Sequence, residues 1–459
     1  MKKIIALTED IVNQIQELFC DFDSSTSFDE IETEVRAVML EIGRQTTEAI
    51  IRDLGTGYSG KQIQTPSGVM AEYRGDRPRT IKTLMGPVEI QRSYYHIGKG
   101  KGGYVPLDES LSLPQEQYSY AVQEQMSLYA IEDSYEESAE KLRYTFPVEA
   151  SGSTVRRIIQ ERGKEIYQEE VARVAAIFSH KQPAPEPEIE SVQRGYVGAD
   201  GVMVPTVDGY REMKVANTYD TTTARETVAD NLYYHALFAE PDMFGEHLWV
   251  MLKQRGIYDA IESIWGGDGA KWIWRQKQLH DPDGKEIVDY IHASEYLQKV
   301  ANAIHGEDTP KAEVCWRCMR FGLRNCGGKP VLDALRELTK VHSSKELSDA
   351  ITYFQNNHSR MDYPDYEAEG YHITSSTTES ACRHVVGDRL KRSGMRWTTQ
   401  GAQYTTLLRL KWKNGKWTNF WMRYRPWLGG LITILNRTQI FRLTFLSSHI
   451  RIKWNGCKR

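Results

Sequence analysis

Three acidic residues stand where their surroundings give them chemistry to do. Asp200 lies in Gly195-Tyr196-Val197-Gly198-Ala199-Asp200-Gly201-Val202-Met203-Val204-Pro205. This pattern predicts a short buried strand ending in an acid, with a second strand leading away. Asp268 follows Ile261-Glu262-Ser263-Ile264-Trp265, inside the glycine-rich turn Gly266-Gly267-Asp268-Gly269-Ala270. Glu379, in Ser375-Ser376-Thr377-Thr378-Glu379-Ser380-Ala381-Cys382, opens a helix marked by Ala381, Val385, Val386 and Leu390. Two strand-borne aspartates and a helix-borne glutamate suit two-metal phosphodiester chemistry. Hard divalent cations, Mg2+ or Mn2+, take carboxylate oxygens, and two of them roughly 4 Å apart clamp the attacking and leaving oxygens. Each acid also has a plain structural reading. Asp200-Gly201 is a strong hairpin-turn signal, Gly267-Asp268-Gly269 reads as a loop, and Ser376-Thr377-Thr378-Glu379 has the form of a capping box.

The elements that must position these acids follow from the same stretch of chain. Lys214 to Asp220 reads as a third strand, and Glu286 to His292 as one more, with Asp289 and His292 at its end. Strands alternating with helices, with acids at strand ends, describe an α/β sheet whose site lies along the strand tips. Between Asp268 and Glu379 lie helical patterns at Ala293–Ile304 and Val331–Val341, which predict an all-α insertion.

Upstream, Ile31, Val35, Val38, Met39 and Ile42 recur at helical spacing, and residues 55–114 alternate as a small β module. Within that module, Gly98-Lys99-Gly100-Lys101-Gly102-Gly103 precedes no helix and reads as a flexible basic turn, not a phosphate cradle. Residues 115–179 are helical. Asp133 to Leu142 gives a short capped helix, and Ser151-Gly152-Ser153-Thr154-Val155-Arg156-Arg157-Ile158-Ile159 opens a second after a turn. That layout is a helix-turn-helix or an ordinary αα-hairpin. In the first case Ser153, Thr154, Arg156 and Arg157 would meet DNA. The Pro/Glu stretch 180–193 predicts a semi-rigid spacer and the main domain boundary.

The formal net charge of −4 conceals a cancellation of 58 Lys+Arg against 62 Asp+Glu. From Ala381 to Arg459 there are 17 basic residues and one acid, Asp388, leaving 41 basic and 61 acidic residues before them. Such asymmetry points to a polyanion partner for the basic part. Arg383, Arg389, Lys391, Arg392 and Arg396 lie on or near the helix of Glu379 and are the candidate phosphate contacts. The interleaved Trp397, Trp412, Trp417, Trp421 and Trp427 read chiefly as core. No uncharged apolar run approaches the roughly 18 residues of a membrane span, and no signal-peptide core follows Met1. Six cysteines in 459 residues make no disulfide scaffold, which implies a reducing cytoplasm. Cys315, Cys318 and Cys326 lack a clear fourth zinc ligand and read as free thiols.

At the acid-bearing blocks the chain resembles a known family. Gly198-Ala199-Asp200-Gly201, Gly267-Asp268-Gly269-Ala270-Lys271-Trp272-Ile273-Trp274, and Glu379-Ser380-Ala381-Cys382 running into Arg389-Leu390-Lys391-Arg392-Ser393-Gly394-Met395-Arg396-Trp397 resemble DDE transposases of bacterial insertion sequences. The ISKra type, related to the Mutator-like superfamily, is the most similar. The resemblance covers roughly Tyr94 to Tyr424. It implies a ribonuclease-H-like fold with Asp200, Asp268 and Glu379 as the catalytic, metal-holding triad. Asp289-Tyr290-Ile291-His292 matches a D-x-x-H signature, implying an auxiliary role for His292.

The expected organisation is α/β. An N-terminal helix and β module occupy 1–114, a helix-turn-helix region 115–179 and a linker 180–193. A ribonuclease-H-like core at 194–292 and 373–425 is interrupted by the all-α insertion 293–372, and a basic tail occupies 426–459. The expected activity is metal-dependent cleavage at element ends and transfer of the 3′-hydroxyl into target DNA. Its partners would be terminal inverted repeats, target DNA and a second copy of the chain or more, in a nucleoid-associated setting. A catalytically decayed DNA-binding protein and a nuclease without strand transfer are the alternatives.

Overall fold

The computed structural model describes residues 11–17, 22, 25–98, 100, 102–189, 192–221 and 229–425. The expected basic tail 426–459, with Trp427, and the lysines Lys99 and Lys101 lie outside the described residues. Two compact units are present, Met1–Ile159 with Trp417–Arg459, and Gln160–Lys416.

In the first unit, helix α1 (Phe28–Leu54) begins with a capping box. Ser27 Oγ accepts from the Glu30 N–H, and the Glu30 carboxylate accepts from the Ser27 N–H. The β module is an antiparallel sheet, β1 (Gln62–Gln64), β2 (Met70–Thr83), β3 (Gly86–His96) and β4 (Gly103–Tyr104), in that order. Arg74-Gly75-Asp76 is not the turn its composition suggests. It is a bulge inside β2, between Tyr73 and Asp76, with Gly75 at φ +98° absorbing the extra residue. Ile81, Val88, Ile90 and Leu107 form the small core of this module.

Helices α2 (Tyr120–Ala130), α3 (Tyr135–Thr145) and the start of α4 (Gly152–His180) follow. Val122, Met126, Leu142, Val155 and Ile158 are all fully buried between them. The helix expected to open on an N-cap here does so, with Ser134 and Glu137 forming a capping box at the start of α3.

The boundary expected at 180–193 is corrected: the division falls within α4, and the Pro/Glu stretch belongs to the second unit. Its described residues form no helix or strand. Glu188 is nevertheless tied down, its N–H donating to the Gln254 carbonyl at 2.7 Å. Its carboxylate accepts from Gln254 at 2.6 Å and Lys416 at 2.9 Å, and it meets Arg255 at 3.3 Å. An acidic spacer facing three donors becomes a strap.

The second unit is built on a five-stranded sheet of order β7-β6-β5-β8-β9. These strands are β5 (Arg194–Thr206), β6 (Gly209–Thr221), β7 (Asp230–Leu237), β8 (Glu262–Gly267) and β9 (Lys285–Val288). β6 runs antiparallel to β5 and β7, whereas β5, β8 and β9 are parallel. Both faces of β5 are covered. A Cβ on Gly195 would meet Ile257, and one on Gly198, pointing the other way, would meet Thr378. That explains the unbroken buried run Gly195–Ala199, the mark of a strand covered on both sides.

Helices α5 (Pro241–Gln254) and α6 (Lys271–His280) flank β8. Then α7 (Tyr290–His305), α8 (Pro310–Cys326), α9 (Gly328–Leu338) and α10 (Lys345–Asn357) follow β9. The cysteines Cys315, Cys318 and Cys326 all ride on α8 and carry no disulfide. α11 (Ser376–Ala381) continues through a π-helical stretch, Cys382–Gly387, to Leu390, and α12 (Thr399–Lys413) closes the unit. Among the described residues no helix is long and apolar enough to cross a membrane.

Candidate active site

Asp200 does not end a strand and does not make a hairpin turn. β5 continues six residues past it to Thr206, and the hairpin closes where Thr206 pairs with Gly209. The turn signal of Asp-Gly is overridden because the apolar alternation resumes at Val202 and Val204, which the core takes up. The parallel register pairs Gly198 with Gly266, so Asp200 and Asp268, each two residues on, reach the same level of neighbouring strands. Asp268 follows the last residue of β8, as expected. One oxygen of each carboxylate is oriented by a backbone N–H: Gly201 donates to Asp200 at 2.6 Å and Ala270 to Asp268 at 2.8 Å. Burial, with the Asp268 charge beside it, pushes the Asp200 carboxyl up.

Glu379 reaches this corner because α11 packs directly on β5. A Cβ on Gly198 would lie 1.9 Å from Thr378 Oγ1 and 2.6 Å from Asn217 Oδ1, so glycine is what admits the helix. No capping box forms: the N-cap is Ser375, and its side chain makes no cap hydrogen bond. Ser375 turns instead to Asp289, donating its N–H and, at 2.8 Å, its hydroxyl to Asp289 Oδ2. Glu379 is therefore left exposed toward the acids. Partial burial and the charges of Asp289, Glu295 and Asp200 raise its carboxyl, with His292 opposing them.

His292 lies on a helix, not at a strand end as the sequence pattern suggests. β9 stops at Val288, and Asp289 caps α7 by accepting from the His292 N–H at 2.5 Å. The imidazole sits 3.6 Å from Glu295 and edge-on to Tyr296 and Tyr353. Asp289 itself, 2% exposed, has a role that sequence reasoning missed. Its N–H donates to the Gly267 carbonyl at 2.9 Å, and its carboxylate holds the His292 turn and Ser375. One buried aspartate thus fastens together the segments bearing Asp268, His292 and Glu379. An acid directly before a helix was the available signal.

Among the described residues, no group of three or more His, Cys, Asp or Glu stands close enough as placed to hold a metal ion. The donor chemistry nonetheless fits one. Asp200 and Asp268 are hard-oxygen donors at one level of adjacent strands, and a cation would offset both the burial that chiefly raises Asp200 and the lesser repulsion from Asp268. Cys382 also faces the corner, its thiol 3.6 Å from Asp200 Oδ2 and held protonated by burial and that neighbouring charge.

The candidate DNA contacts separate by depth. Arg383, Lys391, Arg392 and Arg396 are exposed in the second unit, Arg383 lying 3.5 Å from Asp388. Arg389 is corrected: at 1% exposure it is core, its guanidinium 4.8 Å from the Trp397 ring centroid. Arg409 is equally buried and donates to the His384 carbonyl at 2.8 Å. Lys411 pairs with Glu170. Trp397, Trp417 and Trp421 are buried, as the core reading expects, while Trp412 is 44% exposed. In the first unit, Ser153, Arg156 and Arg157 are exposed at the start of α4 and Thr154 is half-buried. Ser153 and Thr154 share hydrogen bonds with Ser151, and Arg157 pairs with Glu116.

Residues 22–422 match the model of an uncharacterised protein family, UPF0236. The chain belongs to UPF0236. That match takes in Asp200, Asp268, His292 and Glu379 together with the exposed cations Arg383 to Arg396. No curated protein matches this UPF0236 member.

Proposed function

We propose that this protein is a DNA transposase of the DDE type, its second unit a ribonuclease-H-like catalytic domain with a helical insertion. One observation carries the reading: Asp200 and Asp268 at one level of adjacent parallel strands, with the Glu379 helix seated on the same strand through Gly198. The sheet order, with β6 alone running against the four other strands, supports it. So does the resemblance of the acid-bearing blocks to insertion-sequence transposases of the ISKra type.

Asp200, Asp268 and Glu379 would hold two Mg2+ or Mn2+ ions, which when bound supply Lewis acidity at the attacking and leaving oxygens. The protein's own groups place and neutralise. The backbone N–H groups of Gly201 and Ala270 fix the two aspartates, and Asp289 sets the approach of Glu379 and His292. Arg383, Lys391, Arg392 and Arg396 hold phosphates near the cut, while Ser153, Thr154, Arg156 and Arg157 of the helix-turn-helix region meet the terminal inverted repeats. Water adds to the phosphorus at the element end and the P–O3′ bond breaks, the 3′ oxygen taking a proton. That hydroxyl then attacks a target phosphodiester, losing its proton as the target P–O3′ bond breaks. Two or more chains bridging two element ends would join both to one target, in association with the bacterial nucleoid.

The test uses the full chain, a labelled duplex carrying the inverted repeat that flanks its gene, a target plasmid, and Mg2+ or Mn2+. Cleavage and joining, both lost in Asp200→Asn, are expected. Cleavage without joining would replace the transposase reading with a nuclease. Binding without either would leave a DNA-binding protein.

A further inference from the structure

A cavity of about 620 Å³ lies in the second unit beside Asp268. Lys271 and Trp274 of α6, Tyr296 and Lys299 of α7, and Asp349 and Tyr353 of α10 help to line it. This wall is fastened to the acid-bearing loop: the Tyr353 hydroxyl donates to the Asp268 carbonyl at 2.8 Å. Gly269, at φ +101°, packs so closely that a Cβ there would lie 2.9 Å from the Tyr353 ring. The insertion and the candidate catalytic loop are therefore one piece at this point.

The lining combines groups that a single ligand class uses together. Tyr296 and Tyr353 are stacked, their ring centroids 4.0 Å apart and their planes 12° from parallel. Lys299 Nζ lies 5.1 Å from the Tyr296 centroid. Lys271 and Lys299 are exposed, and among the described residues neither has an acidic partner within ion-pair distance. The Trp274 indole N–H is buried without a hydrogen-bond partner. Asp349, one turn before Tyr353 on α10, adds an acceptor. Flat aromatic surface, cations suited to phosphate and an acceptor suited to an amino group describe a nucleotide taken out of its stack.

We propose that this cavity receives one unstacked nucleotide of the DNA strand entering the carboxylate corner. Its base lies on the tyrosine pair and its phosphate on Lys271 and Lys299. The inference rests on the phosphodiester reading of the adjacent acids. It gives a use to the contact that ties the helical insertion, through Tyr353, to the loop of Asp268.

The test irradiates the full chain with a short single-stranded oligonucleotide carrying 5-iodouracil, maps the crosslink, and measures affinity by anisotropy. A crosslink to the peptide of Tyr296 or Tyr353 is expected. Tyr296→Ala is expected to weaken binding about tenfold, whereas Tyr296→Phe, which keeps the ring, stays within about twofold. Crosslinks confined outside the cavity, or equal affinity of Tyr296→Ala and the parent, would overturn the proposal. Should Tyr296→Ala fail to fold, Lys299→Glu at the rim replaces it, with weaker binding and a shallower salt dependence expected. Unchanged binding there would be equally fatal. A crosslink without any strand cleavage would remove the transposase reading and leave the cavity, whereas cleavage without the crosslink would remove the cavity alone.

Discussion

The carboxylate corner gathers like charges and keeps them there. The cationic stretch that follows Glu379 does the opposite, sorting its charges by depth. At the corner, Asp200 is raised by burial and by Asp268, and Glu379 by burial and three further carboxylates. Asp200 and Glu379, whose carboxyls are raised, carry their charges there at a cost to stability. Along the stretch, Arg389 and Arg409 are swallowed by the core and Lys411 is paired with an upstream glutamate. Arg383, Lys391, Arg392 and Arg396 stay exposed. Charge that folding would expel needs a reason other than folding; charge that folding can absorb marks nothing by its abundance alone.

The sharpest way to break this contrast is at the corner. Asp268→Asn is expected to lower metal-dependent strand cleavage by roughly a thousandfold in a gel assay, with circular dichroism unchanged. Retained cleavage would deprive the corner of its chemistry.

Arginine 389 tests the other side. Arg389→Ala removes a buried, stacked guanidinium and is expected to cost about 3 kcal/mol of stability, read from the urea midpoint. Arg392→Ala and Arg396→Ala are expected to change that midpoint by less than about 0.5 kcal/mol. Each should instead lower the salt dependence of duplex binding by about one counterion. If all three behave alike, sorting by depth is wrong.

A smaller effect is expected from Gly198→Ala, whose new methyl group meets Thr378 and Asn217. About 1–3 kcal/mol of destabilisation should appear, partly restored by adding Thr378→Ala, which clears one of the two contacts. Cleavage should fall in the single variant, because α11 carries Glu379. Absence of any rescue would mean the seating of that helix does not set the site.

The smallest effect lies in pH. Asp200 has a folded-state pKa above its unfolded one, so its contribution is favourable below the unfolded value and lost as pH rises through the folded one. Asp200→Asn is therefore expected to raise the melting temperature at pH 7 and to lose that gain near pH 4. Buried His247, held down to about 3 by desolvation, acts in the reverse sense. Its contribution is present above about pH 6.5 and lost as pH falls toward 3. His247→Phe should flatten that acid limb in a melting series.

The three acids and the αβ alternation were legible because residue type and spacing at Asp200, Asp268 and Glu379 act locally. The length of β5 was not, since Asp-Gly is a turn only where no apolar alternation carries the strand onward, as Val202 and Val204 do here. His292 was read as strand because β-branched Ile287 and Val288 precede it. The capping aspartate between them, Asp289, decides otherwise. Arg389 and Arg409 could not be separated from their exposed neighbours, because depth depends on partners such as Trp397 and the His384 carbonyl. The strap at Glu188 was hidden for the same reason: its donors come from α5 and from beyond α12.

The π-helical stretch Cys382–Gly387 separates Glu379 from Arg389. A π turn carries an extra residue compared with an α turn, and such insertions are often found at functional sites. Here it works as a phase shifter in the chain. The angular setting of the acid is uncoupled from that of the buried arginine and from Val385, Val386 and Leu390, which anchor the helix. The reach of Glu379 and core packing can therefore be adjusted separately on a single helical segment, and a one-residue deletion in this stretch would lock the two back together.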